Sequence, residues 1–302
     1  MPGWLSARLC DADGLARDRF FPGGFEQERA TFKQYTIAPA TNVAKVRLYC
    51  SKSGNDVVSD SRSPQIPDNI TLEQAASIPV TLATVATGMW AKEEGASSVG
   101  FPAPWEEGGL TKYKGQAALV LGGSSSVGQY GAQRSPHPVP NADAHTSTAI
   151  QLAKMQGFSP IIATSSLKHA DYLKSIGATH VLDRSLPSAD VLAELPTLTA
   201  GQPVVYAFDA ISAPETQHLA YDALAPGGAM VTTHPFSGAI LADKEQRDGG
   251  SKKVARPYAS VQRPGNVKLG VELYARLTEW LEKGLLVVSI VYWLCRDSVG
   301  LN

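Results

Sequence analysis

Apolar and polar positions follow two different periods along this chain, and the change between them divides it. From Ala117 onward, short runs of Val, Ile and Leu alternate with stretches of helical spacing. The runs predict strands over 117–122, 160–164, 179–182, 203–208 and 228–233, with helices over 167–176, 188–194 and 214–224. Strands apolar on both faces and separated by helices predict a parallel sheet covered on both sides, an α/β fold of the doubly wound kind. A last helix is predicted over 267–283, where Leu269, Leu273, Leu277, Trp280 and Leu281 form one buried stripe.

Before Ala117 the pattern is less regular. FKQYTIAPA, over 32–40, predicts a strand ending at Pro39. IPDNITLEQAASIP then gives a turn and a helix start with Asn69 and Thr71 as candidate caps, and Pro79 to Trp90 continues as a helix of small residues. The Gly-, Pro- and Glu-rich stretch from Gly95 to Gly115 reads as a surface connection. No internal repeat is visible.

A chain of 302 residues with 43% hydrophobic residues and a formal charge of -1 has the composition of an ordinary soluble protein. Nothing in that balance calls for a nucleic acid partner. Cys10, Cys50 and Cys295 are far apart and form no CxxC pair, which argues against a disulfide framework and a cysteine zinc cluster and suits a cytoplasmic setting. MPGWLSARLCDADGLARD lacks the basic and apolar regions of a signal peptide. Leu285 to Cys295 has about half of the ~20 apolar residues that a membrane span needs, so no membrane partner is expected.

The chemistry-bearing stretch is AALVLGGSSSVG, from Ala117 to Gly128. A strand that turns sharply into a helix and points its backbone amides at a pyrophosphate needs residues without bulky Cβ substituents. Gly122, Gly123 and Gly128 meet that need, with Ser124, Ser125, Ser126 and Val127 between them and Ser125 where a GxGxxG loop has its second glycine. An ordinary tight strand-to-helix turn is the alternative. At the end of the next strand, Thr164, Ser165 and Ser166 are neutral donors, followed by Lys168, with Tyr172 one turn on. Donors plus a cation suit a 2′-phosphate, so NADPH is expected rather than NADH. The alternative there is that Ser165 and Ser166 cap the helix and Lys168 is solvated.

Taken together, these residues resemble the medium-chain dehydrogenase/reductase superfamily, in its zinc-free, quinone-reductase-like and enoyl-reductase-like branch. The resemblance runs from about Arg19 to Leu285. It rests on TFKQYTIAPA, IPDNITLEQAASIPVTLATVATGMW, LGGSSSVGQY, LKSIGATHVLDR, VVYAFDAIS and LAPGGAMVTT, which are specific jointly rather than singly. It implies a Rossmann sheet joined to a GroES-like β substrate domain, a small-molecule substrate, a homodimer and reduction of an activated C=C or carbonyl. By motif match it places Ser125, Ser126 and Val127 at the pyrophosphate and Ser165 and Lys168 at the 2′-phosphate. Asp209, Ala210 and Ile211 fall beside the ribose and nicotinamide, and Thr84 near the nicotinamide. Thr84 has the alternative of bonding its own helix backbone, and Asp209 that of capping the segment before Pro214. A short-chain dehydrogenase is excluded, because no tyrosine is followed four positions later by lysine. For a catalytic zinc, the substrate domain offers no plausible ligand set. Binding of NADPH without turnover and an inactive, unstable chain are the competing functional readings.

The resemblance is interrupted in three places. Deleting Gly131 to Thr148 leaves the continuous helix GQYAIQLAK, and deleting Val46 to Gln65 leaves AKIPDN; from residue 287 the tail VVSIVYWLCRDSVGLN departs abruptly. All three read as introns translated in frame, since Val288-Ser289 can be encoded as GTAAGT and Gln65 as CAG. Genuine surface insertions are the alternative. The first eighteen or so residues lack the substrate-domain strands that the resemblance leads one to expect, so the chain is expected to be truncated at both ends. The expected organisation is a partial substrate domain over 1–90 with an insertion at 46–65, and a Rossmann domain over 91–264 with an insertion at 131–148. Residues 265–302 would return to the substrate domain.

Overall fold

The structure is a computed structural model that describes residues 4–6, 37–39, 66–70, 72–122, 141–233, 238–258 and 260–288. Its elements in chain order are β1 (Trp4–Ser6), β2 (Ile37–Pro39), α1 (Leu72–Trp90), β3 (Ala117–Leu121), α2 (Asn141–Met155), β4 (Ile161–Ser165), α3 (Ala170–Ile176) and β5 (His180–Asp183). They continue with α4 (Ser188–Leu198), β6 (Val204–Asp209), α5 (Pro214–Ala223), β7 (Leu224–Thr232), α6 (Gly238–Arg247), β8 (Lys253–Ala255) and α7 (Val267–Glu282).

Six strands form a sheet in the order β5-β4-β3-β6-β7-β8, and every pairing within it is parallel. That order is the doubly wound dinucleotide-binding arrangement, in which the chain runs outward from β3 to one edge and then returns to fill the other. β3 and β4 are buried along their whole length, as expected of strands covered on both faces. Alternate residues serve the two sides. Ala118, Val120, Ile161, Ala163, Tyr206 and Phe208 face a core shared with α1, α2, α3 and α7. Ala117, Leu119, Leu121, Ile162 and Ala207 face one shared with α4, α5 and α6.

Helix α1 contains Pro79, which has no N–H for the helix ladder. Beyond it, the threonine hydroxyls bond back to preceding carbonyls: Thr81 to Ile78, Thr84 to Val80 and Thr87 to Ala83, at 2.7–3.0 Å. The helix is set against the sheet at Gly88, where a Cβ would meet Val231 Cγ1 at 2.5 Å. Its end joins an aromatic cluster in which Trp90 meets Trp105 edge-on, with ring centroids 5.6 Å apart, and Trp280 at 6.4 Å.

The structure corrects the sequence expectation in four places. Asn141–Thr148, part of the 131–148 insertion and without a readable period, forms the first half of α2. The stretch after Pro140 holds neither Gly nor Pro until Gly157, so nothing there breaks a helix. Trp4–Ser6 is a strand after all, paired antiparallel with Ile37–Pro39. α6 and β8 had no counterpart in the expected elements; α6 buries only Leu241, and β8 is three residues long, so neither carries a readable period. β7 begins four residues early, at Leu224, and its register against β6 shifts between Val204 and Tyr206. Residues 46–65, 131–140 and 289–302 lie outside the described residues. The start of the departing tail is held down, since Val287 donates to Gln151 Oε1 at 2.5 Å and its carbonyl accepts from Gln151 Nε2 at 3.0 Å. No helix among the described residues is long and apolar enough to cross a membrane.

Candidate functional site

Between β3 and β6 the direction of winding reverses, because α2 packs on one face of the sheet and α5 on the other. Such a reversal opens a crevice at the carboxyl ends of the strands. Gly122 stands there with φ +122°, and a Cβ on it would lie 2.9 Å from Ala210 Cβ and 3.0 Å from Ile211 Cγ1. Only glycine lets the two strand ends close on each other. The Gly122 N–H donates to Thr164 Oγ1 at 3.4 Å, and the Ala210 N–H to the Leu121 carbonyl at 3.0 Å. Three strand ends are thereby joined. Gly123, Ser124, Ser125, Ser126, Val127 and Gly128 lie outside the described residues.

Asp209 ends β6 with no exposed surface. Its Oδ1 accepts the N–H groups of Ile211 at 2.9 Å and Ser212 at 3.0 Å, and its Oδ2 accepts the Thr216 hydroxyl at 2.9 Å. Burial outweighs these donors and pushes the carboxyl pKa up to about 6. Both carboxylate oxygens are thus engaged within the protein, and the turn they shape presents Ala210 and Ile211 at the strand end. Ser212, at φ +58°, completes the turn. Its hydroxyl lies 2.6 Å from Thr232 Oγ1 and 3.0 Å from Thr233 Oγ1, and the Thr233 N–H donates to the Asp209 carbonyl at 3.2 Å. This hydroxyl cluster had not been singled out in the sequence; its signal is VTT at the end of an apolar run.

On the other side of the crevice, Thr164 and Ser165 are buried at the end of β4. Lys168 is exposed in the short 3-10 turn Leu167–His169, and Ser166, at the N-cap position, makes no side-chain cap bond. Exposed Arg184, the last residue of LKSIGATHVLDR, is a cation to which the sequence reading assigned no role: its N–H donates to the Ser165 carbonyl at 3.0 Å. Asp183, in register with Ser165, is occupied by the Ser185 N–H at 2.8 Å and hydroxyl at 2.7 Å, which hold its pKa below the usual carboxylate value. Tyr172 is half-buried, and its hydroxyl oxygen has no hydrogen-bond partner among the described residues. Thr84 is buried in α1, donating to Val80. Among the described residues no group of three or more His, Cys, Asp or Glu side chains could hold a metal ion.

Residues 146–238 match the family model described as zinc-binding dehydrogenase. A zinc-type alcohol dehydrogenase-like protein of Schizosaccharomyces pombe is 30% identical over 242 residues, 75% of this chain and 60% of the relative. A trans-enoyl reductase of Penicillium crustosum is 28% identical over 232 residues, 73% of this chain and 57% of the relative. The chain thus spans well under two thirds of the length of these curated relatives. Among solved structures, a mycobacterial protein complexed with NADPH matches with a TM-score of 0.52 at 19% identity, covering 85% of this chain and 62% of the other. An enoyl reductase in its apo form, JamJ, gives a TM-score of 0.54 at 18% identity, covering 85% of this chain and 60% of the other.

Proposed function

Because the chain belongs to the medium-chain dehydrogenase/reductase superfamily, we propose that it is an NADPH-dependent, zinc-independent oxidoreductase that reduces an activated C=C or carbonyl. The observation that carries the reading is the crevice edge itself: a glycine at the end of β3 where any Cβ would clash with Ala210 and Ile211, with Lys168 exposed beyond β4. The residues fit the cofactor. At Gly122 a Cβ would fill the space into which backbone must pass, and two cations, Lys168 and Arg184, flank the strand end where a 2′-phosphate would lie. The buried Tyr172 hydroxyl has a hydrogen bond to give.

When bound, NADPH would supply a hydride to the electron-poor carbon of the substrate, with a proton completing the reduction. Asp209 would fix the ribose and nicotinamide side by holding the 209–212 turn rather than by moving a proton, since both its oxygens are engaged. The Ser212, Thr232 and Thr233 hydroxyls tie the ends of β6 and β7 into a rigid floor. Thr84 would support α1 rather than polarise a substrate. A small-molecule substrate, a cytoplasmic location and a homodimer complete the proposal.

Incubation of the full chain with NADPH and a panel of enones and quinones, followed at 340 nm, tests it; consumption dependent on acceptor is the expected outcome. NADPH binding without oxidation would make the chain a binding protein. The engagement of Thr84 and Asp209 favours that second reading, because neither is available as a proton donor.

A further inference from the structure

We propose that the cavity beside the carboxyl end of β8 is an oxyanion site, taking the carboxylate or phosphate group of a small organic ligand on Arg263, Arg256 and Ser97. The cavity holds about 320 Å³ and is walled by three separate stretches: the loop after α1, the residues following β8 and the turn before α7. Its construction is tight. A Cβ at Gly265 would meet Ala96 N at 2.8 Å and Glu94 O at 2.9 Å, so backbone touches backbone where two of these stretches meet. Asn266, 6% exposed, donates to the Ser260 carbonyl at 2.9 Å and fixes the turn from the inside.

The charged lining residues are both arginines. Arg256 Nη2 is pinned by Glu245 Oε1 at 2.6 Å, while its Nε is buried with no hydrogen-bond partner among the described residues. A buried donor left without an acceptor is destabilising, more so when the group is charged. Ser97 Oγ accepts the Arg256 N–H at 2.8 Å, which leaves its own hydrogen to donate. The Arg263 guanidinium stacks over the Tyr258 ring, 4.2 Å from its centroid, and has no ion pair or hydrogen bond among the described residues. Among the described residues Glu245 offsets one arginine and nothing offsets the other, so the cavity that both line has positive charge in excess. A carboxylate or phosphate oxygen supplies what is missing. The volume is at the small end of ligand pockets, which suits a small acid or the acidic end of a longer molecule.

Its place in the fold adds a consequence. Ala255 is in register with Val231 and Asp209 with Thr232, so Arg256 stands at the level of the crevice edge. Two strand spacings, about 10 Å, separate it from β6. An acid group held here would lie along the same edge as the proposed cofactor site. That substrate role rests on the reductase reading, whereas the anion site does not.

The test is calorimetric titration of the full chain with inorganic phosphate and with succinate. One saturable site is expected, weakened about 10-fold or more in Arg263→Gln and unchanged in Lys168→Ala. Arg263 is exposed, so circular dichroism and the ligand-free unfolding midpoint of Arg263→Gln should match wild type. Absence of saturable binding by both probes, equal binding to Arg263→Gln, or loss in Lys168→Ala instead would overturn the proposal. NADPH titration of the same proteins separates the two readings. Anion binding that follows Arg263 in a chain that binds no NADPH supports this site and sinks the reductase. A higher KM for the methyl ester of an acid-bearing enone than for the free acid supports the site with substrate as its occupant. Equal KM values, with phosphate binding still dependent on Arg263, support it with a free anion as occupant.

Discussion

A methyl group at position 122 would meet Ala210 Cβ at 2.9 Å while the backbone sits at φ +122°, a region costly for any residue with a side chain. Gly122→Ala is therefore expected to lose about 2–4 kcal/mol of stability in urea unfolding, from strain of about 1–3 kcal/mol plus overpacking. Asp209 makes a prediction about pH. Its folded pKa of about 6 lies above its ordinary value of 3.8, so the folded state holds the proton more tightly. The stabilisation linked to that proton is complete below about pH 4 and is lost as pH rises through 6. Asn at this position cannot titrate, so the stability of wild type relative to Asp209→Asn should fall by about 2 kcal/mol between pH 4 and pH 7, measured by urea unfolding at each pH. A flat difference would mean that the carboxylate is solvated. The glycine was legible because its demand is conformational and local. The role of Asp209 was open between cofactor contact and cap, since three donors from 211, 212 and 216 converge on it only once the turn is folded.

At the scale of elements, α1 is held to β7 through Gly88, whose missing side chain admits Val231. Gly88→Ala would have to push a β-branched neighbour in a buried strand, and a loss of about 1–3 kcal/mol is expected in thermal or urea unfolding. No change would show that helix and sheet separate freely. The four central strands β3, β4, β6 and β7 were readable to within a few residues because both their faces are largely buried, so apolar runs mark them without reference to partners. α6 and β8 were not: GAILADKEQR is polar on most sides, and KVA is too short to show alternation. Asn141–Thr148 was hidden for a related reason, as small polar residues that permit a helix do not announce one. The hydroxyl cluster of Ser212, Thr232 and Thr233 needed the pairing of β6 with β7 before its members could be seen to meet.

For the whole molecule, the strand order β5-β4-β3-β6-β7-β8 was foreshadowed by alternation of strand and helix, although alternation alone does not say which strand lies at the centre. The order makes the ends of β3, β4 and β6 a single edge, which brings Gly122, Thr164 and Asp209 together from positions far apart in sequence. Arg184 joins that edge from β5, and Arg256 reaches its level from β8. Arg184 closes the motif LKSIGATHVLDR and Arg256 belongs to none, and only the assembled sheet brings either to this edge. Selection of NADPH over NADH depends most on the cation beyond β4, Lys168. Titration calorimetry of the full chain with NADPH and NADH, in wild type and Lys168→Ala, tests it directly. NADPH should bind at one site about 10-fold or more tightly than NADH, and Lys168→Ala should erase that difference by weakening NADPH alone. Binding of neither nucleotide, or equal affinity for both with no effect of Lys168→Ala, would contradict it.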